Sequence, residues 1–367
     1  MQPRRARILF ALLIIATLVF IPALAEAQHY LQTNLVSDIS GVAANTDSNL
    51  VNAWGITRGP TTPWWVNDNG TGLSTLYNAA GAKQTLRVTV PPPPNSPPGT
   101  TSAPTGIVFN GVNTDFLLDP NAATSGARFI FATEDGTISG WNGGTVAVIK
   151  VDNSASGAVY KGLAIGTFEG TSHLYATNFV GGKVEVYGSN WTPTTVPGGF
   201  VDTNLPAGYH PFNLQNIGGN IFVTFAKFDG SKDEVHGRGF GFVDEFDTGG
   251  NLLMRFQHGP WLNAPWGIAL APAGFGEFSN RLLVGQFGSG EIAAYDTNTG
   301  EFEGRLHGKR GVLVIDGLWG LAFGGGASSN GPLTTLFFTA GPNDESDGLF
   351  GTLTAIPDDD HNEHGKD

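Results

Sequence analysis

The chain has 367 residues, of which 53 are glycine, 25 phenylalanine and 8 tryptophan, and only 14% are charged. This is a folded, turn-rich, all-β composition, and it excludes a disordered chain. The net charge of −13 argues against nucleic acid and anionic membrane as partners, and the lack of cysteine excludes disulfides, thiolate metal sites and a cysteine nucleophile.

The N-terminus reads as an address. Arg4, Arg5 and Arg7 precede an apolar run from Ile8 to Ile21, followed by Pro22-Ala-Leu-Ala-Glu-Ala-Gln28. A basic segment, an apolar segment and a small-x-small site predict a secretory signal over residues 1–27, cleaved after Ala27, with Ala25 as the alternative. The run is short for a membrane span, and Pro22 interrupts it. Cleavage would remove three arginines and Glu26 and leave a mature chain near −15. The expected localisation is secreted or periplasmic, with no membrane span after cleavage and a monomeric state.

From there the chain repeats. Asn52-Ala-Trp-Gly-Ile56, Ala103-Pro-Thr-Gly-Ile-Val-Phe109, Tyr160-Lys-Gly-Leu-Ala-Ile165, His210-Pro-Phe-Asn-Leu-Gln215, Asn263-Ala-Pro-Trp-Gly-Ile-Ala-Leu270 and Leu318-Trp-Gly-Leu-Ala-Phe323 align on Gly55, Gly106, Gly162, Asn213, Gly267 and Gly320. The intervals are 51, 56, 51, 54 and 53 residues. A near-constant period of this size marks a repeated supersecondary unit with a shared core. Each anchor opens a run of short strands separated by turn residues, as in blade one: Trp54-Gly-Ile56, Pro63-Trp-Trp-Val-Asn-Asp68, Leu73-Ser-Thr-Leu-Tyr77 and Gln84-Thr-Leu-Arg-Val-Thr-Val90. Blade three is expected to carry its fourth strand near Phe200. Blade six runs out of chain after Leu349-Phe-Gly-Thr-Leu-Thr-Ala355, and His29-Tyr-Leu-Gln-Thr-Asn-Leu-Val36 is left unassigned. The prediction is a six-bladed β-propeller of four-stranded blades over residues 28–357, closed by that N-terminal strand, with an acidic tail at 358–367. Closure removes sheet edges. The anchor glycines allow close backbone approach at the axis, and Trp54, Trp266 and Trp319 are expected to pack between blades.

These repeats resemble NHL-type and gluconolactonase-type six-bladed propellers. The strings Asn49-Leu-Val-Asn-Ala-Trp-Gly-Ile56, Trp64-Trp-Val-Asn-Asp-Asn-Gly70 and Asn263-Ala-Pro-Trp-Gly-Ile-Ala269 are similar to an uncharacterised family of secreted bacterial proteins, some with a PEP-CTERM sorting tail. The resemblance implies a propeller and export, but no reaction. The C-terminus, Pro357-Asp-Asp-Asp-His-Asn-Glu-His-Gly-Lys-Asp367, departs from the tailed members.

Loops between the second and third strands, and between blades, emerge at one mouth of the channel. The elaborated ones are Pro91 to Pro104, Lys227 to Arg238 and Gly341 to Gly348. Loops on a rigid scaffold carry function, so this rim is the candidate site. It collects Asn67, Asp68, Asn69, Glu134, Asp135, Asn178, Asp229, Asp233, Glu234, Asn343, Asp344 and Glu345. Oxygen ligands from several blades suit a hard cation such as Ca²⁺, and Asp68, Glu134, Asp229 and Asp344 are the candidate metal ligands. The same residue types also fill turns. The gluconolactonase-type resemblance implies such a cation, with a carboxylate placed for general base work. His210, Asn213, Asn52 and Asn263, at the starts of inner strands, are the candidate ligand-binding residues. There is no His-Glu-x-x-His helix, no Gly-x-Ser-x-Gly elbow and no phosphate-binding glycine loop. No catalytic residue can be assigned. Two functions are expected: binding of an extracellular protein, glycan or small molecule by the rim, or metal-dependent hydrolysis or lysis of a small substrate.

Overall fold

In the computed structural model, residues 29–356 are described; the expected signal segment and the expected acidic tail lie outside the described residues. The repeat resolves into six antiparallel blades around one axis. In blade one, Ala53–Thr57 lies innermost, followed outward by Trp64–Asp68, Leu73–Tyr77 and Lys83–Thr89. Blades two, three and five span 104–152, 160–194 and 265–305 in the same order. Blade four adds a short strand, Glu234–Val235, that pairs with the end of Asn220–Phe228.

Burial follows position. The second strands Trp64–Asp68, Phe129–Thr133, Leu282–Gln286 and Leu336–Ala340 are buried at every residue, because neighbouring blades cover both faces. A strand covered on both sides reads as a continuous apolar run. The outer strand Lys83–Thr89 alternates instead, with one face in solvent. Six apolar clusters each bridge one pair of neighbouring blades; Trp64, Tyr77, Phe337 and Phe350 join blades one and six.

The ring closes as expected. His29–Ser37 pairs antiparallel with Leu349–Ile356, from His29 opposite Ile356 to Ser37 opposite Leu349. The phenol of Tyr30 also donates to the Phe275 carbonyl at 3.0 Å, tying the N-terminal strand to the blade-five segment.

Two expectations need correction. The fourth strand of blade three is Pro193–Thr194, not a segment near Phe200; Phe200 packs instead into the apolar cluster between blades three and four. The tryptophans do not sit between blades. Trp54, Trp266 and Trp319 meet over the axis with Phe179 and Phe212 in a seventh cluster.

The anchor glycines do what a missing Cβ permits. A Cβ on Gly55 would lie 2.2 Å from the Thr105 carbonyl oxygen, and one on Gly267 would lie 2.5 Å from that of Trp319. Inner strands of successive blades touch backbone to backbone there.

Candidate functional site: the loop-bearing face

Each inner strand starts at the loop-bearing end of the channel, and the residue just before each anchor points to the axis. These six positions are Trp54, Thr105, Lys161, Phe212, Trp266 and Trp319. Five are aromatic or small, and one is charged. Trp319 stacks on Trp54 with centroids 3.7 Å apart, and Phe287 covers its other side at 3.7 Å. Trp266 meets both edge-on, at 6.2 and 5.8 Å.

Lys161 lies in this aromatic plug with its side chain 1% exposed. Its ammonium sits 5.0 Å from the Trp54 ring centroid and 5.9 Å from those of Phe179 and Phe212. A buried ammonium needs a counter-charge. Glu134 Oε1 supplies it at 2.7 Å, with Asp233 at 3.5 Å and Glu234 at 3.8 Å.

A hydrogen-bonded crown continues around the mouth. Asn69 donates from Nδ2 to Glu134 Oε2 at 3.1 Å. Asn52 Nδ2 donates to Asn69 Oδ1 at 3.3 Å and to Glu345 Oε1 at 3.0 Å. The Trp319 indole donates to Asn52 Oδ1 at 2.9 Å. Asn343, Asp344 and Glu345 carry Glu345 there with φ of 55°, 53° and 64°. Three successive non-glycine residues in the left-handed region are costly.

Electrostatics lock the centre. Burial works to lower the Lys161 pKa, but Glu134 and Glu234 outweigh it and hold the ammonium above its usual range. Burial works to raise Glu134, and Lys161 outweighs it, keeping the carboxylate below its usual range. Burial raises Glu345, with the Glu234 charge adding to it and the Asn52 hydrogen bond opposing it. At the outer edge, the His236 ring lies 3.3 Å from Glu234 Oε1; that hydrogen bond raises its pKa against burial.

The plug stops the channel. Beneath it a cavity of about 20 Å³ remains, bordered by Gly106, Leu163, Asn213, Trp266 and Gly320. That is room for about one water molecule.

The residues singled out in the sequence fall in several places. Asn52 and Glu134 belong to the crown. His210 sits beside it, with Nδ1 2.6 Å from the Phe179 carbonyl and its ring stacked 4.1 Å from Phe228. Asn213 is a spacer: its Nδ2 donates to the Trp266 carbonyl at 2.7 Å, bridging to the next blade where the other blades bring a glycine. Asn263 borders a separate cleft.

The four candidate metal ligands are not brought together. Asp68 is fully buried in the wall of blade one, beside Thr75 and within reach of the Asp47 and Lys83 charges. Asp229 is exposed and accepts the Ser231 amide of its own turn at 3.0 Å. Asp344 is exposed on the blade-six loop. Among the described residues, no three His, Asp or Glu side chains are grouped to hold a metal ion. The cations among the rim carboxylates are the buried ammonium of Lys161 and the exposed one of Lys232, 3.9 Å from Glu134 and from Asp233.

Off the axis, a cleft of about 460 Å³ opens between blades four and five. Trp261 and Phe302 line it, stacked 3.9 Å apart at 12°. Lys161 and this cleft escaped the sequence reading. Comparing the residue before each anchor across the six repeats would have isolated Lys161. Trp261 had a fainter signal, as a tryptophan in a blade linker outside the repeated motif.

No family model matches the chain. Two uncharacterized proteins of Acanthamoeba polyphaga mimivirus align over 331 residues. One is 31% identical and the other 29%; each alignment covers 87% of this chain, with 78% and 84% of the viral proteins. Among solved structures, virginiamycin B lyase from Staphylococcus aureus superposes with a TM-score of 0.51 at 11% identity, over 90% of this chain and 100% of the lyase. A protein of unknown function from Bacteroides thetaiotaomicron gives 0.57 at 10%, over 90% of this chain and 76% of that protein. At such identities the likeness is one of fold. The resemblance in the sequence pointed to secreted bacterial proteins, whereas these relatives by sequence are viral. The chain belongs to the family of these uncharacterized mimivirus proteins, and its fold is the six-bladed β-propeller.

Proposed function

We propose that the protein is an exported recognition propeller that binds an extracellular glycan or protein on its loop-bearing face. The locked ion pair on the axis carries this reading. A general base works best near the operating pH, and a lysine nucleophile must be deprotonated. Glu134 is held ionised and low, and Lys161 protonated and high. The centre of the mouth is therefore a stable platform, and what the face offers a partner is its rim and the adjoining cleft. The elaborated loops fit that role.

The test is binding of the purified full chain to an array of extracellular polysaccharides and secreted proteins. The double charge reversal Lys232→Glu/Arg238→Glu, on the exposed blade-four loop, should weaken a captured partner about tenfold or more. Arg87→Glu, on the outer strand of blade one, should leave it unchanged. Absence of any partner, or equal loss in both variants, would refute the reading.

A second reading, hydrolysis or lysis of a small substrate, draws support from one pair. His236 is half exposed and oriented by Glu234, the arrangement of an acid–base group with its orienting carboxylate. A turnover found in a screen of lactones and esters and lost in His236→Gln would favour it.

A further inference from the structure

We infer that the cleft between blades four and five binds a carboxylated sugar ring, a hexuronate residue of an acidic polysaccharide. This rests on the recognition reading above and names the ligand class for one part of that face.

The cleft, at about 460 Å³, is within the size range of small-ligand sites. Its aromatic wall is preset. The Trp261 indole donates to the Tyr295 hydroxyl at 2.7 Å, and its ring is braced by Phe302. A half-buried aromatic held in this way presents a rigid apolar surface to the C–H face of a sugar ring.

The polar wall suits hydroxyls. Asn263 uses Oδ1 to accept the Gly237 amide at 2.7 Å, and its Nδ2 has no partner among the described residues. Ser289 borders the same cleft, but its Oγ is buried away from the surface, without a partner among the described residues. The unpaired Asn263 amide group therefore remains available to a ligand hydroxyl.

The charge specifies an acid. The chain has 19 basic against 32 acidic residues, yet two guanidiniums line this one cleft. Arg305 binds Glu291 with Nη1 at 3.1 and 3.0 Å from its two oxygens, which neutralises the only carboxylate in the lining. Arg238 has no ion-pair partner among the described residues and is exposed at the cleft. A planar guanidinium is suited to a carboxylate. A neutral sugar would leave it unused.

The experiment is calorimetric or NMR titration of the full chain with glucuronate, galacturonate and short oligouronates, against glucose and galactose. Uronates should bind at least about tenfold more tightly than the neutral sugars, and Arg238→Gln should remove that preference. Arg238 is exposed, so this variant should keep the wild-type Tm. Trp261→Ala should abolish binding of both sugar classes. Equal binding of uronates and neutral sugars, or a preference that survives Arg238→Gln, would overturn the inference. Failure of uronates to bind while another partner is captured on the face would also overturn it and leave the recognition reading standing. No partner of any kind would overturn both.

Discussion

The axis and the blade-four cleft are built from the same materials, aromatic rings and charged groups, but with opposite outcomes. On the axis, Trp54, Trp266 and Trp319 are at most 4% exposed. Lys161 is surrounded by carboxylates, and the crown groups beside it are hydrogen-bonded, although the Trp54 indole N–H is buried without a partner among the described residues. In the cleft, the Trp261 and Phe302 stack is only half buried, and among the described residues Arg238 has no ion-pair partner and Asn263 Nδ2 no hydrogen-bond partner. Satisfied and buried groups hold a fold together; unsatisfied and accessible ones are ready for a ligand. The comparison puts the stability of the ring on the axis and the proposed recognition beside it.

That contrast can be broken most forcefully at Lys161. Lys161→Met leaves Glu134 and Glu234 buried without their nearest counter-charge, with only the exposed Lys232, 3.9 Å from Glu134, beside them. It should cost about 3–5 kcal/mol in urea unfolding. The double variant Lys161→Met/Glu134→Gln should recover part of that loss. A cost under about 1 kcal/mol would mean the axis is not where stability is concentrated. A smaller effect is expected from Gly267→Ala, whose Cβ would press on the Trp319 carbonyl oxygen at 2.5 Å. About 1–3 kcal/mol should be lost, by the same measurement, without any change in ligand binding at the cleft.

The smallest effect sharpens the comparison through pH. Burial holds the Asp68 carboxyl well above its usual pKa. The folded chain therefore keeps a proton that the unfolded chain releases near pH ~4. The stabilisation is present at low pH and is lost as pH rises above the ordinary carboxylate value. Asp68→Asn removes this titration, so its stability relative to wild type should improve steadily as pH rises through the window above about pH 4. A flat difference across that window would show that Asp68 is not desolvated in the wall.

The fold was legible because the repeat fixes it: six anchors at near-even spacing, and one strand missing at the end of the chain that another supplies at its start. The site was only partly legible. The rim set correctly gathered Asn69, Glu134, Asp233, Glu234 and Glu345, which all reach the mouth. It wrongly grouped Asn67 and Asp68 with them. Side chains alternate along a strand, and these two are still in Trp64–Asp68, so they face the neighbouring blades. Asn67 donates to the Thr105 carbonyl at 2.9 Å, while Asp68 is buried in the wall. Asn69, one residue beyond the strand, is free to turn toward the axis. The cleft was not legible because its walls come from a linker, a loop and an outermost strand, which share no motif.

The closure of the ring also sets a timetable. His29–Ser37 is made long before its partner Leu349–Ile356. At the usual rate of synthesis, the N-terminal strand waits on the order of 15–60 s with its edge unpaired. Blades one to five can form in order during that time. The sixth cannot, because its other three strands, Leu318–Phe323, Leu336–Ala340 and Leu349–Ile356, emerge after those of the first five blades. The final step of folding is therefore the most non-local pairing in the molecule, and such pairings form slowly. Until it forms, the chain is an open arc with two free sheet edges, the species most exposed to pairing with another copy of itself.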